Sequence, residues 1–181
     1  MDLYFLALIP PEIIKQEVKI LKEEIRLKYA AKHALKLPAH ITLIPPFKLQ
    51  EKQKTSLLET LTNFTAREEP LEIFLSGFGG FPPGVLFIDV ENKEPIIRFY
   101  DRLQTVLEDI PGALQKQNKP LHPHITLATR DLKEEFYDRA WNDLKARQYK
   151  ISFTAAHLYL LWHNGRSWEV YVQFPLQEKK P

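Results

Sequence analysis

The 181-residue chain contains no cysteine. Disulfides and thiolate nucleophiles are thereby excluded, and a zinc site would have to use histidine and carboxylate alone. No apolar run is long enough to span a bilayer, and the N-terminus enters an apolar strand without a basic leader. Neither a signal nor a membrane segment is expected, and a cytoplasmic setting follows. Charge of one sign is also scarce: 25 Lys and Arg face 23 Asp and Glu, a net charge of +2, with a pI near 8.7. That balance suits a phosphate-bearing ligand but not a long nucleic-acid footprint. A non-catalytic RNA- or nucleotide-binding module, which calls for a strongly basic face, is the weaker alternative. No His-x-x-x-His pair with an acidic cluster occurs, so a metal centre built on His40, His122 and His124 is disfavoured. Neither metal nor other cofactor is expected. No linker divides the chain, and 44% hydrophobic residues suffice for one compact domain over 1–181, taken as a monomer.

What is present alternates between two periods. Residues 2–9 read as an apolar strand stopped by Pro10-Pro11. Ile13, Ile14, Val18, Leu21 and Ile25 then recur at helical spacing to about Ala30. Leu37–Phe47 is a strand closed by Pro45-Pro46, and a helix follows from about Glu51 to Arg67. Leu71–Phe78 and Val85–Val90 form a strand pair joined by a wide glycine-rich connection. Pro95–Ile110 is helical, and a polar loop containing Gly112 and Pro120 leads to a second motif strand. Leu132–Arg147 is a helix, Ile151–Trp162 a strand, and Asn164-Gly165 a hairpin signal before a last strand, Trp168–Phe174. The order strand, helix, strand, helix, strand therefore occurs twice. The fold class is α+β: two similar lobes, each a small, mostly antiparallel sheet backed by helices.

The chemistry sits in a repeat. His40-Ile41-Thr42-Leu43 and His124-Ile125-Thr126-Leu127 are the same four residues. Each copy lies just after a proline and reads as strand. Strand alternation puts Ile and Leu on one face and histidine and threonine on the other. One such copy would be an ordinary half-buried strand, but two identical polar faces are hard to explain by packing. A pair of imidazoles titrating near neutrality can divide acid and base work, and threonine hydroxyls can donate to phosphate oxygens as charge grows there. Arg130 shares the parity of His124 and Thr126 if the strand continues unbulged, and a guanidinium suits a phosphate. Phe47, Phe78, Phe81, Trp162 and Trp168 are candidate walls for a nucleobase, with Phe47 the one assigned to substrate. Lys48 has the motif's parity beyond the Pro45-Pro46 break. His33, His157 and His163 have no motif around them and read as surface or core histidines.

At these residues the chain resembles the two-histidine (2H) phosphoesterase superfamily, whose signature is His-x-Thr/Ser-x occurring twice. It looks closest to the 2′-5′ RNA ligase and RNA 2′,3′-cyclic phosphodiesterase families. His-Pro-His-Ile-Thr-Leu-Ala at 122–128 is similar to their second motif, and Tyr4-Phe5-Leu6-Ala7-Leu8-Ile9-Pro10 resembles their first strand. The resemblance implies a pseudo-twofold arrangement that brings both motif faces to a central cleft. It also implies a metal-independent phosphodiesterase acting on 2′,3′-cyclic phosphate ends of RNA or small nucleotides, with 2′-5′ ligation or an ADP-ribose cyclic phosphate as alternatives. His40, Thr42, His124 and Thr126 would be catalytic, with His40 protonating the leaving oxygen and His124 activating water. The family's arginine often stands one residue earlier than Arg130, where this chain has Thr129.

Overall fold

The computed structural model describes residues 2–114 and 120–177, so the middle of the polar loop before the second motif (115–119) lies outside the described residues. Eight strands and four α-helices follow one another: β1 Asp2–Leu8, α1 Glu12–Tyr29, β2 Ile41–Leu49, α2 Glu51–Thr65, β3 Leu71–Phe81, β4 Val85–Val90, α3 Lys93–Leu107, β5 His124–Ala128, α4 Glu134–Lys145, β6 Lys150–Ala155, β7 His157–His163 and β8 Trp168–Pro175. A short 3₁₀ turn, His33–Lys36, precedes β2. The α+β class holds, with all strand pairs antiparallel.

The strands form one sheet in the order β6-β3-β4-β5-β2-β1-β7-β8. Two four-stranded lobes are thus fused into a single sheet rather than kept apart. The motif strands β2 and β5 meet at its centre through one residue pair, Ile41 with Ile125. The lobes do not follow the halves of the chain. β3, from the first half, sits between β4 and β6, while β7, from the second, pairs with β1. The expected strand Ile151–Trp162 is in fact two, broken at Ala156, whose members pair at opposite ends of the strand order. A one-residue link reaches only a few ångströms, so the sheet must curl until those ends adjoin. Leu176 N–H donating to Ala156 O at 2.9 Å ties the last strand's exit to that link.

Two other boundaries differ from expectation. β2 does not stop at Pro45-Pro46 but runs to Leu49, because pairing with β1 shifts by one residue between Tyr4 and Leu6 and again between Leu6 and Ala7. Both extra residues fall on β2, and a bulged stretch is where a strand tolerates prolines that cannot donate. Two bulges cancel in parity, so Phe47 stays on the core side, fully buried at 0% exposure and packed with the Tyr4 ring. This corrects its assignment as a substrate wall: no surface of it reaches a ligand. β3 continues through Gly79 and Gly80 to Phe81 instead of turning at Gly79. A Cβ at Gly79 would overlap the Phe87 ring, and one at Gly80 the Tyr137 hydroxyl, so the absence of side chains is what lets those aromatics cover the strand.

One large cluster holds the helices to the sheet. It includes Ile14, Val18, Ile25 and Tyr29 of α1, Leu57, Leu61 and Phe64 of α2, Ile96, Phe99 and Leu103 of α3, and Ala140 and Leu144 of α4, against Leu6, Leu8, Ile41 and Ile125. Ile13 is not part of it and stands 67% exposed. A second, small cluster of Phe5, Ala7 and Leu161, with Leu37 and Trp168 packed on it, lies on the other face of β1. That face carries the motif.

Candidate active site

The single Ile41–Ile125 rung sets the geometry of the site. Extending the antiparallel register one residue each way puts His40 opposite Thr126 and Thr42 opposite His124. Residues opposite one another share a face, so all four side chains project to the side away from the two isoleucines. The histidines are diagonal neighbours in that register, a relation that separates Cβ atoms by about 7 Å.

Both imidazoles are held in the same way. His40 Nδ1 lies 2.8 Å from Pro38 O, and His124 Nδ1 lies 2.6 Å from His122 O. A carbonyl only accepts, so Nδ1 carries the proton in each ring and Nε2 is left free for chemistry. Each ring also has a phenylalanine against it from the adjacent strand: Phe5 of β1 beside His40, centroids 5.3 Å apart, and Phe87 of β4 beside His124, at 4.7 Å. Two strands with almost no other identity have thus built the same support twice.

The charged surroundings differ. His40 is pushed down to about 4, chiefly by burial, against the Pro38 carbonyl and with Lys22 and His124 adding to the shift. His124 is also lowered, by burial first and by the neighbouring His122, while the His122 carbonyl and Asp89 oppose the shift. Asp89 accepts from Lys93 Nζ at 2.9 Å and lies 3.0 Å from His122 Nε2. Lys22 has only 4% of its surface exposed and donates to Ala34 O and Leu37 O, both at 2.9 Å. Burial lowers it to about 8. It pins the 3₁₀ turn that leads into His40.

A cleft of about 510 Å³ runs over this face. His40, Thr42 and Thr126 line it, as do Thr129 and Arg130, whereas His124 contributes no lining surface. Pairing of β5 with β4 shifts between Leu86 and Phe87, placing one extra residue at Leu127. That bulge gives Thr129 the parity of Thr126, and the strand ends at Ala128. Arg130 follows in the left-handed region at φ 66, which turns it back to the cleft rim. The straight strand expected through Arg130 is therefore corrected, and both residues reach the cleft.

The other aromatic candidates divide. Trp168 lines the cleft. Phe81 sits edge-on to both His122 and His124, at 5.4 and 5.6 Å, on the opposite lobe. Phe78 packs on Tyr149 and Trp162 on Tyr171, away from the site. Lys48 is absent from the lining, and His157 lies tilted against Tyr159.

Sequence reasoning missed Lys22, Lys36, His33, His163 and Arg166, all of which line the cleft. For Lys22 a signal existed: it stands four residues after Val18 and three before Ile25, inside the buried stripe. The lining contains no carboxylate. Lys36, Arg130 and Arg166 make no side-chain hydrogen bond or ion pair among the described residues. The arrangement can hold an anion and exchange protons with it. Among the described residues no group of three or more His, Asp or Glu is placed to hold a metal ion, and no helix is long and apolar enough to cross a membrane.

The chain has relatives among known proteins. A relative in Geobacillus kaustophilus, named "Putative phosphoesterase", is 29% identical over 94% of each chain. One in Bacillus pumilus with the same name is 30% identical over 85% of this chain and 88% of its own. In fold the chain is similar to TT0787 of Thermus thermophilus, with a TM-score of 0.73 and 21% identity over 99% of this chain and 100% of that one. It is likewise similar to Escherichia coli LigT complexed with 3′-AMP, with a TM-score of 0.68 and 16% identity over 98% and 99%. The pattern of the 2′-5′ RNA ligase superfamily matches residues 10–167, nearly the whole chain, and this protein belongs to that superfamily of two-histidine phosphoesterases.

Proposed function

We propose that the protein hydrolyses 2′,3′-cyclic phosphate ends of RNA or small nucleotides without a metal, by paired-histidine acid–base catalysis. The observation that carries this reading is the Ile41–Ile125 rung, whose register gives two His-x-Thr pairs one face, each histidine fixed through Nδ1 to a backbone carbonyl. One neutral imidazole takes a proton from water through Nε2 as the water oxygen bonds to phosphorus. The other, protonated, gives its proton to the ribose oxygen as the cyclic P–O bond breaks, leaving a monophosphate ester. Thr42, Thr126 and Thr129 can donate to the non-bridging oxygens, and Arg130 can add charge at the rim. The surroundings favour His40 as the base, since burial and the Lys22 charge keep it neutral, and His124 as the acid, since Asp89 favours its imidazolium. This is the reverse of the assignment implied by family resemblance.

The test is a panel of nucleoside 2′,3′-cyclic phosphates, ADP-ribose cyclic phosphate and 2′-5′-linked oligonucleotides, assayed with EDTA present. Hydrolysis of the nucleoside cyclic phosphates is the expected result. Activity that disappears in EDTA and returns with zinc would overturn the mechanism. In residual activity, a His40 variant should lose the acidic limb of the pH profile and a His124 variant the alkaline limb.

A further inference from the structure

We infer that the β7–β8 turn forms a second anion subsite, so that the preferred ligand is a nucleotide bearing another phosphate besides the reacting one. This rests on the phosphoesterase reading above and adds to it where the rest of the substrate lies.

The turn belongs to the cleft but not to the motif. β1 pairs with β7 through Tyr4 and Trp162, so residues 163–167 lie beyond the Tyr4 end of β1. The motif end of β2 pairs near Leu8, at the other end of β1. Between them runs a continuous line of rings: His40 to Phe5 at 5.3 Å, Phe5 to Trp168 at 4.7 Å, and Trp168 to His163 at 5.1 Å. Such a line gives a nucleoside an apolar floor leading away from the reacting phosphate.

At its far end the turn offers donors. Gly165 N–H donates to His163 Nδ1 at 3.2 Å, which leaves the proton of the neutral ring on Nε2, a donor for an anion. Arg166 lines the cleft, and its guanidinium has no partner among the described residues. Asn164 Oδ1 accepts from the backbone N–H of Arg166 at 2.9 Å and of Ser167 at 2.8 Å, fixing the turn that presents them. Glu169, the carboxylate of this hairpin, alternates to the face opposite Trp168 and is engaged by Asn164 Nδ2 at 2.6 Å. A planar guanidinium beside a ring N–H matches the oxygens of a phosphate. Lys36 and Arg130 supply the other cationic end, next to the motif, so charge is available for two phosphates at once.

Adenosine 3′-monophosphate and adenosine 3′,5′-bisphosphate differ only by the second phosphate, and calorimetry on the intact chain measures both. The bisphosphate should bind at least about tenfold more tightly, and in Arg166→Ala the ratio of the two affinities should fall to about threefold or less, with partial recovery in Arg166→Lys. Equal affinities in the wild type, or an unchanged ratio in Arg166→Ala, would overturn the subsite. If that happens while a nucleoside 2′,3′-cyclic phosphate is still hydrolysed, the phosphoesterase reading stands and only the subsite is lost. Failure to bind either probe, joined with failure to hydrolyse the cyclic phosphate, removes both.

Discussion

Burial lowers both motif imidazoles; Lys22 adds to the shift at His40, whereas Asp89 opposes it at His124 against the nearby His122. In the free enzyme the bell of kcat/KM should therefore lie below the ordinary histidine value of about 6.5. A bound phosphate anion favours imidazolium, so the maximum of kcat should lie at higher pH than that of kcat/KM. A kcat/KM that rises steadily to pH 9 would contradict this. His40→Ala and His124→Ala should each lower turnover by about a hundredfold or more and leave the protein folded by circular dichroism. The same shift enters stability with a definite sign. An imidazole held down to about 4 in the folded state but titrating near 6.5 when unfolded contributes fully above pH 6.5. That contribution is lost as pH falls from 6.5 toward 4, so Tm at pH 5 should sit below Tm at pH 7 by more in the wild type than in His40→Ala. Lys22→Met removes a neighbouring positive charge and should raise the His40 pKa, read by NMR titration of the ring. An unmoved titration would show that Lys22 acts on the 3₁₀ turn alone.

Elements were legible in the sequence to different depths. The two motif strands and the helices rest on local period, and a period of two or 3.6 is written residue by residue. Phe47 was legible too: the parity that puts Lys48 on the motif face of β2 puts Phe47 on the other. What could not be read was pairing between distant residues. The bulge at Leu127 depends on how β5 meets β4, and the break at Ala156 shows in the sequence only as a slip of phase, from Ile151, Phe153 and Ala155 to Leu158 and Leu160. The bulge has a measurable consequence. With Thr129 and Arg130 both on the cleft, Arg130→Ala should lower kcat/KM by about ten- to a hundredfold, and Thr129→Ala should cost several-fold, an effect absent if β5 ran straight. β3 gives a second test. In Gly79→Ala the new methyl group has to displace the Phe87 ring, which backs His124. Turnover should fall and stability should drop by about 1–3 kcal/mol in denaturant titration, as for an overpacked core.

Across the whole molecule, neither lobe is contiguous in sequence. The lobe of β1 and β2 needs β7 and β8, and the lobe of β4 and β5 needs β3 and β6. A fragment ending near Val90 would carry β3 and β4 without β5 or β6, and β1 and β2 without β7. It should stay unfolded, and the full chain should unfold in one transition that coincides by fluorescence and circular dichroism. Two resolved transitions would show that the lobes stand alone. The one rung between β2 and β5 works against that mutual dependence, because it is the narrowest join in the sheet and the motif face lies directly across it. Bending of the sheet should crease at this join, because each imidazole has its backing phenylalanine and carbonyl tether within its own lobe. A phosphate held from both sides would clasp that crease, and its arrival should be felt first as slower amide exchange at Ile41 and Ile125.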